Sequence, residues 1–254
     1  MPRIDLNCDL GEAKDEAGFA AETRVMPFLT SVNIACGFHA GTPELMRRTI
    51  RQARVYGLAI GAHPSFLDRE GFGRRTLQMT PAEVETLVAH QVGALWGIAA
   101  LEGVVLTHVK PHGALYNLAA QDRRLADAIA KAVAAVDRRL VLVALAGSVC
   151  VEGAEAIGLA VAEEAFADRA YSQAGTLMPR DLPGAIIHDA GEALDRAVRL
   201  IRDGELATFD GSTIRLHADT LCLHGDTPNA EAMARTMREG LERVGVQIAP
   251  FRHA

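Results

Sequence analysis

Six short apolar runs in this chain each lead into a cluster of histidine, carboxylate, amide or lysine side chains. In order they are Asp5-Leu6-Asn7-Cys8-Asp9, Asn33-Ile34-Ala35-Cys36-Gly37-Phe38-His39, Gly61-Ala62-His63-Pro64, His108-Val109-Lys110-Pro111-His112, Glu163-Glu164-Ala165-Phe166-Ala167-Asp168 and Leu223-His224-Gly225-Asp226. Helical patterns separate most of them. Packing alone does not put reactive groups at the end of one strand after another. An α/β barrel does, because the carboxyl ends of its strands converge on one mouth. The expectation is an enzyme.

The apolar runs predict about seven parallel core strands, at residues 4–8, 32–35, 59–62, 104–109, 140–145, 159–163 and 220–223. Several are almost continuously apolar, as strands covered on both faces should be. The segments between them carry helix signals. Thr42-Pro43 sets a cap and a first-turn proline before the stripe Met46, Ile50, Ala53, and Gly57 closes it. Thr80-Pro81-Ala82-Glu83 has capping-box spacing ahead of Val84, Leu87, Val88, Gln91 and Leu95. Leu125, Ile129, Val133 and Val136 share a helical face; Asp189 caps a helix through Leu194, Val198 and Ile201. Thr227-Pro228 opens one through Met233, Met237 and Leu241. Residues 206–209 and 213–216, around Asp210-Gly211, read as a hairpin appended to the alternation. Clusters spread along the whole length favour a closed or slightly distorted barrel over an open sheet, where they would gather at one switch point. The 254 residues contain no repeat and no linker, so one domain over 1–254 is expected.

Charge narrows the partners. With 26 basic and 32 acidic residues and no block of one sign, nucleic acid and anionic membrane are not expected. No stretch reads as the ~20 apolar residues of a membrane span. The start, Met1-Pro2-Arg3-Ile4-Asp5, lacks the apolar centre of a signal peptide, so the cytoplasm is the expected location. The cysteines at 8, 36, 150 and 222 have no CxxC spacing and read as small buried hydrophobes. Met26 and the hairpin around Phe209 are candidate contact surfaces, and a homo-oligomer is left open.

Asp5, Asn7 and Asp9 alternate along one strand and so share a face, which would line three oxygen-bearing groups toward the mouth or leave Asp5 outside. Two carboxylates that close would raise one pKa or bind a cation. His39 lies between glycines that let backbone approach a ligand, and the helix starting at Thr42 could hold an anion. After His63, the loop Asp68-Arg69-Glu70-Gly71-Phe72-Gly73-Arg74-Arg75 reads equally as an anion clamp or a solvated loop. His108, Lys110 and His112 share a face of an extended segment, an arrangement suited to a base or an oxyanion stabiliser. No phosphate loop, dinucleotide fingerprint, nucleophile elbow or HExxH is present. What remains is acid–base or metal-assisted work on a small polar substrate.

The ordered segments from Asp5-Leu6-Asn7-Cys8-Asp9-Leu10-Gly11-Glu12 to His224-Gly225-Asp226-Thr227-Pro228 resemble the LamB/YcsF family, whose members are the A subunits of 5-oxoprolinase. Between them lie Asn33 to Gly41, Gly61 to Ser65, Gly71 to Arg74, Val109 to Tyr116 and Phe166 to Tyr171. The resemblance implies a distorted β/α barrel of the glycoside hydrolase/deacetylase kind. It implies ATP-dependent opening of 5-oxoproline to L-glutamate with subunits B and C, ATP being a co-substrate used with those partners. On this reading Asp9, His39, His63, Lys110 and His112 are the catalytic candidates. Asn7, Glu12, Asn33, Arg74, Asp168, Arg180, His224 and Asp226 are expected to bind substrate. A divalent metal is open, with Asp9, His39 and His63 as candidate ligands. The rival readings are a metal-dependent deacetylase or amide hydrolase acting alone, and a non-catalytic regulatory subunit.

Overall fold

A computed structural model describes residues 1–223 and 229–251. The strands are β1 (Arg3–Leu10), β2 (Ser31–Ala35), β3 (Ala59–His63), β4 (His108–Val109), β5 (Val141–Leu145), β6 (Val161–Phe166), β7 (Glu205–Ala207), β8 (Thr213–Arg215), β9 (Thr220–Leu223) and β10 (Gln247–Ile248). Seven of them close a parallel barrel in the order β1-β2-β3-β4-β5-β6-β9, with β9 pairing back onto β1. β7 and β8 form the antiparallel hairpin expected outside the barrel. β10 was not foreseen; it adds to β1 through Arg3↔Gln247 and Ile4↔Ile248.

The helices are α1 (Glu16–Val25), α2 (Pro43–Val55), α3 (Pro81–Leu101), α4 (Gly113–Ala119), α5 (Arg123–Val136), α6 (Val149–Ala156), α7 (Ala190–Asp203) and α8 (Ala230–Arg243). The expected caps hold. Thr42 accepts from the Leu45 N–H, Thr80 and Glu83 cap each other's backbone, and Asp189 accepts from Glu192. α8 begins after Asn229; the expected cap at Thr227-Pro228 lies outside the described residues. One expectation is corrected: α3 is long and apolar enough by length and composition to cross a membrane, with a mean hydropathy of 1.3 in its most apolar stretch. Here Val84, Leu87, Val88, Val92 and Leu95 face inward and are buried in the shared hydrophobic core. The four cysteines are buried and free, as read. Met26 is fully buried and offers no surface, whereas Phe209 is about half exposed.

The main apolar core lies between the barrel wall and the helices. The inside of the barrel is different: it is polar on the β1–β4 side, and apolar toward the floor, where Val141, Val143, Ala162 and Phe251 form a separate cluster. Asp5 sits low in the barrel and accepts from Thr30 (2.6 Å), Ser31 (2.7 Å) and Thr220 (2.5 Å). It neither points outward nor reaches the mouth. Burial pushes its pKa up to about 6 against the pull of those three hydroxyls. One level higher, Asn7 donates to Glu164 Oε1 (2.9 Å) and accepts from Asn33 (2.8 Å), and His108 Nε2 donates to Asn33 Oδ1 (2.9 Å). Gly61 makes room for this layer, because a Cβ there would stand 2.2 Å from the His108 ring.

Candidate active site

Strand ends deliver the mouth residues. Asp9 rises from β1, His63 ends β3, and Lys110 and His112 follow β4. Lys110 Nζ lies 3.0 Å from Asp9 Oδ1 and 2.8 Å from Glu164 Oε1, and donates to Cys222 Sγ at 3.1 Å. Burial alone would push Lys110 down, but Asp9, Cys222 and Glu164 hold it well above the usual lysine value. It is a fixed cation and not a base. Burial likewise works against the charged form of Asp9, yet His63 and Lys110 keep its carboxyl well below the usual range.

The histidines form one compact group. His63 Nδ1 donates to the Lys110 carbonyl (2.7 Å), and His112 Nε2 to the Phe72 carbonyl (2.9 Å). His63 Nε2 and His112 Nδ1 then face each other at 2.9 Å, with Asp9 Oδ2 3.3 Å from His63 Nε2. His39 stacks on His112, ring centroids 3.9 Å apart and planes 6° from parallel, and its Nε2 meets Glu12 Oε1 at 2.9 Å. Burial first, then His63, holds His39 and His112 well below the usual imidazole value. Phe72 adopts φ 55°, a left-handed conformation uncommon for an aromatic residue, and this turn aims its carbonyl at His112. Gly73 follows, where a Cβ would meet Ser65 Oγ at 2.2 Å and His112 at 2.8 Å. Glu12, His39, His63 and His112 present ligand atoms all within 4.8 Å of one another, a set that fits a metal ion.

A cavity of about 480 Å³ opens above this group. Asp9, Glu12, His63, Lys110 and His112 line its base; Phe72, Tyr116 and Phe166 give it aromatic walls, and Arg74 and Arg180 bring positive charge. Not every expected site residue reaches it. Asn7 and Asn33 lie beneath, within the barrel, and position Asp9 and Lys110 from below. His39 is behind Glu12, and Asp168 is buried off the cavity wall. His224 and Asp226 lie outside the described residues. Of the arginine pair after Gly73, Arg74 faces the cavity while Arg75 is taken by Asp68. Arg69 stitches its loop to the Gly37 and Gly41 carbonyls. The helix start at Thr42 is off the wall as well. Tyr116, Arg169 and the buried Glu164 lie within the segments singled out in the sequence but are not among the expected site residues.

The LamB/YcsF family model matches residues 4–254. The chain belongs to the LamB/YcsF family. Among its relatives, the 5-oxoprolinase A subunit of Bordetella pertussis (strain Tohama I) is 52% identical over 97% of this chain and 98% of that protein. The crystal structure of a lactam utilization protein from Thermus thermophilus superposes with a TM-score of 0.91 at 45% identity, covering 98% of this chain and all of that one. A family 4 carbohydrate esterase from Streptomyces lividans shares the fold alone, with a TM-score of 0.50 at 9% identity over 97% of this chain and 91% of that one. The seven-stranded parallel barrel is the β/α-barrel fold that the ordered motifs implied.

Proposed function

We propose that this chain is the A subunit of an ATP-dependent 5-oxoprolinase, opening 5-oxo-L-proline to L-glutamate in the cytoplasm with partner subunits B and C. The observation that carries this reading is the match, at 52% identity over nearly the full length of both chains, to a protein named for that role. The site supplies chemistry to suit. A lactam carbonyl is a poor electrophile, and transfer of a phosphoryl group from ATP to its oxygen would activate it. The chain carries no recognisable phosphate loop, so the partners are assigned the phosphorylation and this barrel the water attack.

In that step water oxygen bonds to the activated ring carbon, and the carbon–nitrogen bond breaks with the nitrogen taking up the proton that Asp9 accepts from that water. The acyl phosphate so formed is hydrolysed by a second water to the carboxylate and inorganic phosphate. Arg74 and Arg180 hold the substrate carboxylate and the phosphoryl group. Phe72, Tyr116 and Phe166 enclose the ring and exclude bulk water. Asp9 Oδ2 orients the attacking water and accepts its proton while Lys110 and Asn33 fix Oδ1. Asp9 is a weak base, so the water must be acidified; a divalent ion held at the Glu12–His63–His112 group would supply that Lewis acidity.

The test is glutamate release from 5-oxoproline with ATP, with and without the B and C subunits, while ADP is followed. Glutamate only from the complete set supports the assignment. Active partners and folded chain that together release none would overturn it.

A further inference from the structure

His63 and His112 each spend one ring nitrogen on a backbone carbonyl, and a carbonyl can only accept. The proton of His63 is therefore on Nδ1 and that of His112 on Nε2. In the neutral rings the remaining nitrogens, His63 Nε2 and His112 Nδ1, are both lone pairs, yet they point at each other across 2.9 Å. Two acceptors so placed repel unless something positive lies between or beside them. Glu12 brings a negative charge to the same point, its Oε1 3.6 Å from His112 Nδ1. Two nitrogens bound to one tetrahedral zinc, each about 2.05 Å from it, are about 3.3 Å apart. The observed separations bracket that spacing.

His39 belongs to the surroundings of this point and not to its ligands. An ionised carboxylate only accepts, so His39 Nε2 carries a proton that it gives to Glu12 Oε1. Its ring is stacked face to face on His112, so its in-plane lone pair runs alongside that of His112 and does not converge with it. Asp9 Oδ2 lies 3.3 Å from His63 Nε2, but Asp9 is drawn to the Lys110 ammonium through Oδ1 and stands outside the group whose donor atoms all lie within 4.8 Å of one another.

We infer that His63 Nε2, His112 Nδ1 and the Glu12 carboxylate bind one divalent first-row transition ion, oriented by the Lys110 and Phe72 carbonyls and by His39. Three protein ligands with the fourth side open to the cavity is the pattern of a catalytic and not a structural site. The partner groups on the far ring nitrogens are those that fix tautomer and aim in metal-ligating histidines. The alternative occupant of the gap is a proton shared by the two imidazoles, whose positive charge the Glu12 and Asp9 carboxylates would also balance, and the metal titration and the ¹⁵N spectrum below separate the two. The inference rests on donor geometry and stands apart from the ring-opening assignment.

The full chain, stripped by chelator and dialysed, is titrated with Zn²⁺, Mn²⁺ and Co²⁺. Elemental analysis is expected to give one ion per chain, and Co²⁺ an absorption band of low-coordinate nitrogen–oxygen ligation. His63→Gln and His112→Gln should each weaken binding at least 100-fold. His39→Gln should weaken it about 10-fold and keep the band. Circular dichroism confirms that each variant is folded. Absence of stoichiometric binding by folded wild type overturns the inference, as does a ¹⁵N imidazole spectrum showing a proton shared between His63 and His112 in the presence of excess metal. Loss of the Co²⁺ band in His39→Gln, with the band kept in His63→Gln, overturns the ligand set. None of these readouts depends on glutamate release.

Discussion

Lys110 Nζ lies 2.8 Å from Glu164 Oε1, pairing an ammonium and a carboxylate at the centre of the barrel where neither side chain is more than 3% exposed. Removing one partner strands the other charge in a dry site. Lys110→Met is expected to lower stability by about 3–5 kcal/mol, and Glu164→Gln by a similar amount. The double variant should cost clearly less than the sum. Urea unfolding of the four proteins provides the check, and strict additivity would count against the pair acting as a unit.

At the mouth, the arginines and Asp9 separate kinetically. Arg74→Ala and Arg180→Ala each remove a charge-assisted contact worth about 1.5–3 kcal/mol, so KM for the anionic substrate should rise by about 10- to 100-fold with kcat little changed. Asp9→Asn should instead lower kcat by about 100- to 10,000-fold. Steady-state glutamate release with saturating partner subunits distinguishes the two patterns.

Two glycine-to-alanine changes should have opposite signs. At Gly61 the new methyl meets the His108 ring at 2.2 Å, and that ring is held by Asn33 and Thr107. The expected cost is about 1–3 kcal/mol from overpacking. Gly93 on α3 has open space around it, so Gly93→Ala should stabilise the helix by about 0.5–1 kcal/mol. Thermal melts of both variants read this directly.

Asp5 makes stability depend on pH in a stated direction. Its folded pKa, about 6, lies above the unfolded 3.8, so the folded state holds the proton more tightly. Its contribution is fully present below about pH 4 and is lost as pH rises through about 6. Asp5→Asn removes that loss. Relative to wild type, Asp5→Asn should gain up to about 3 kcal/mol between pH 4 and pH 7, as followed by denaturant unfolding at the two pH values.

Periodicity made the wall of the barrel legible, and its mouth was legible because Asp9, His63, Lys110 and His112 follow their strands directly. The misses share one physical cause. A strand was expected to end where its apolar run ends, so β1 and β6 were placed short of Leu10 and Phe166. This barrel has a polar interior layer, and Asp9 and Glu164 belong within the strands because Asn33, Asn7 and Lys110 satisfy them there. The strand before Lys110 erred the other way. Val104 and Val105 are apolar but lie outside the ladder, and Val105 is 68% exposed. The helices α1, α4 and α6 are short or weakly patterned and were not read. The role of His39 was legible only in part: its glycine-flanked loop marked it, but its place behind Glu12 depends on a stacking contact with a residue 73 positions away.

Phe251 stands edge-on to His108 at the foot of the barrel, 5.2 Å between ring centroids, just beyond the strand that zips β10 onto β1. β1 thus takes one neighbour from β10, 244 positions further along the chain. Until residues 247–251 are in place, β1 lacks β10 as a neighbour and the polar layer of Asn33 and His108 lacks Phe251 beneath it. Such long-range closure is slow to form and exposed while unmade. A chain cut before Gln247 would hold every described mouth residue and still lack the Phe251 stopper beneath them.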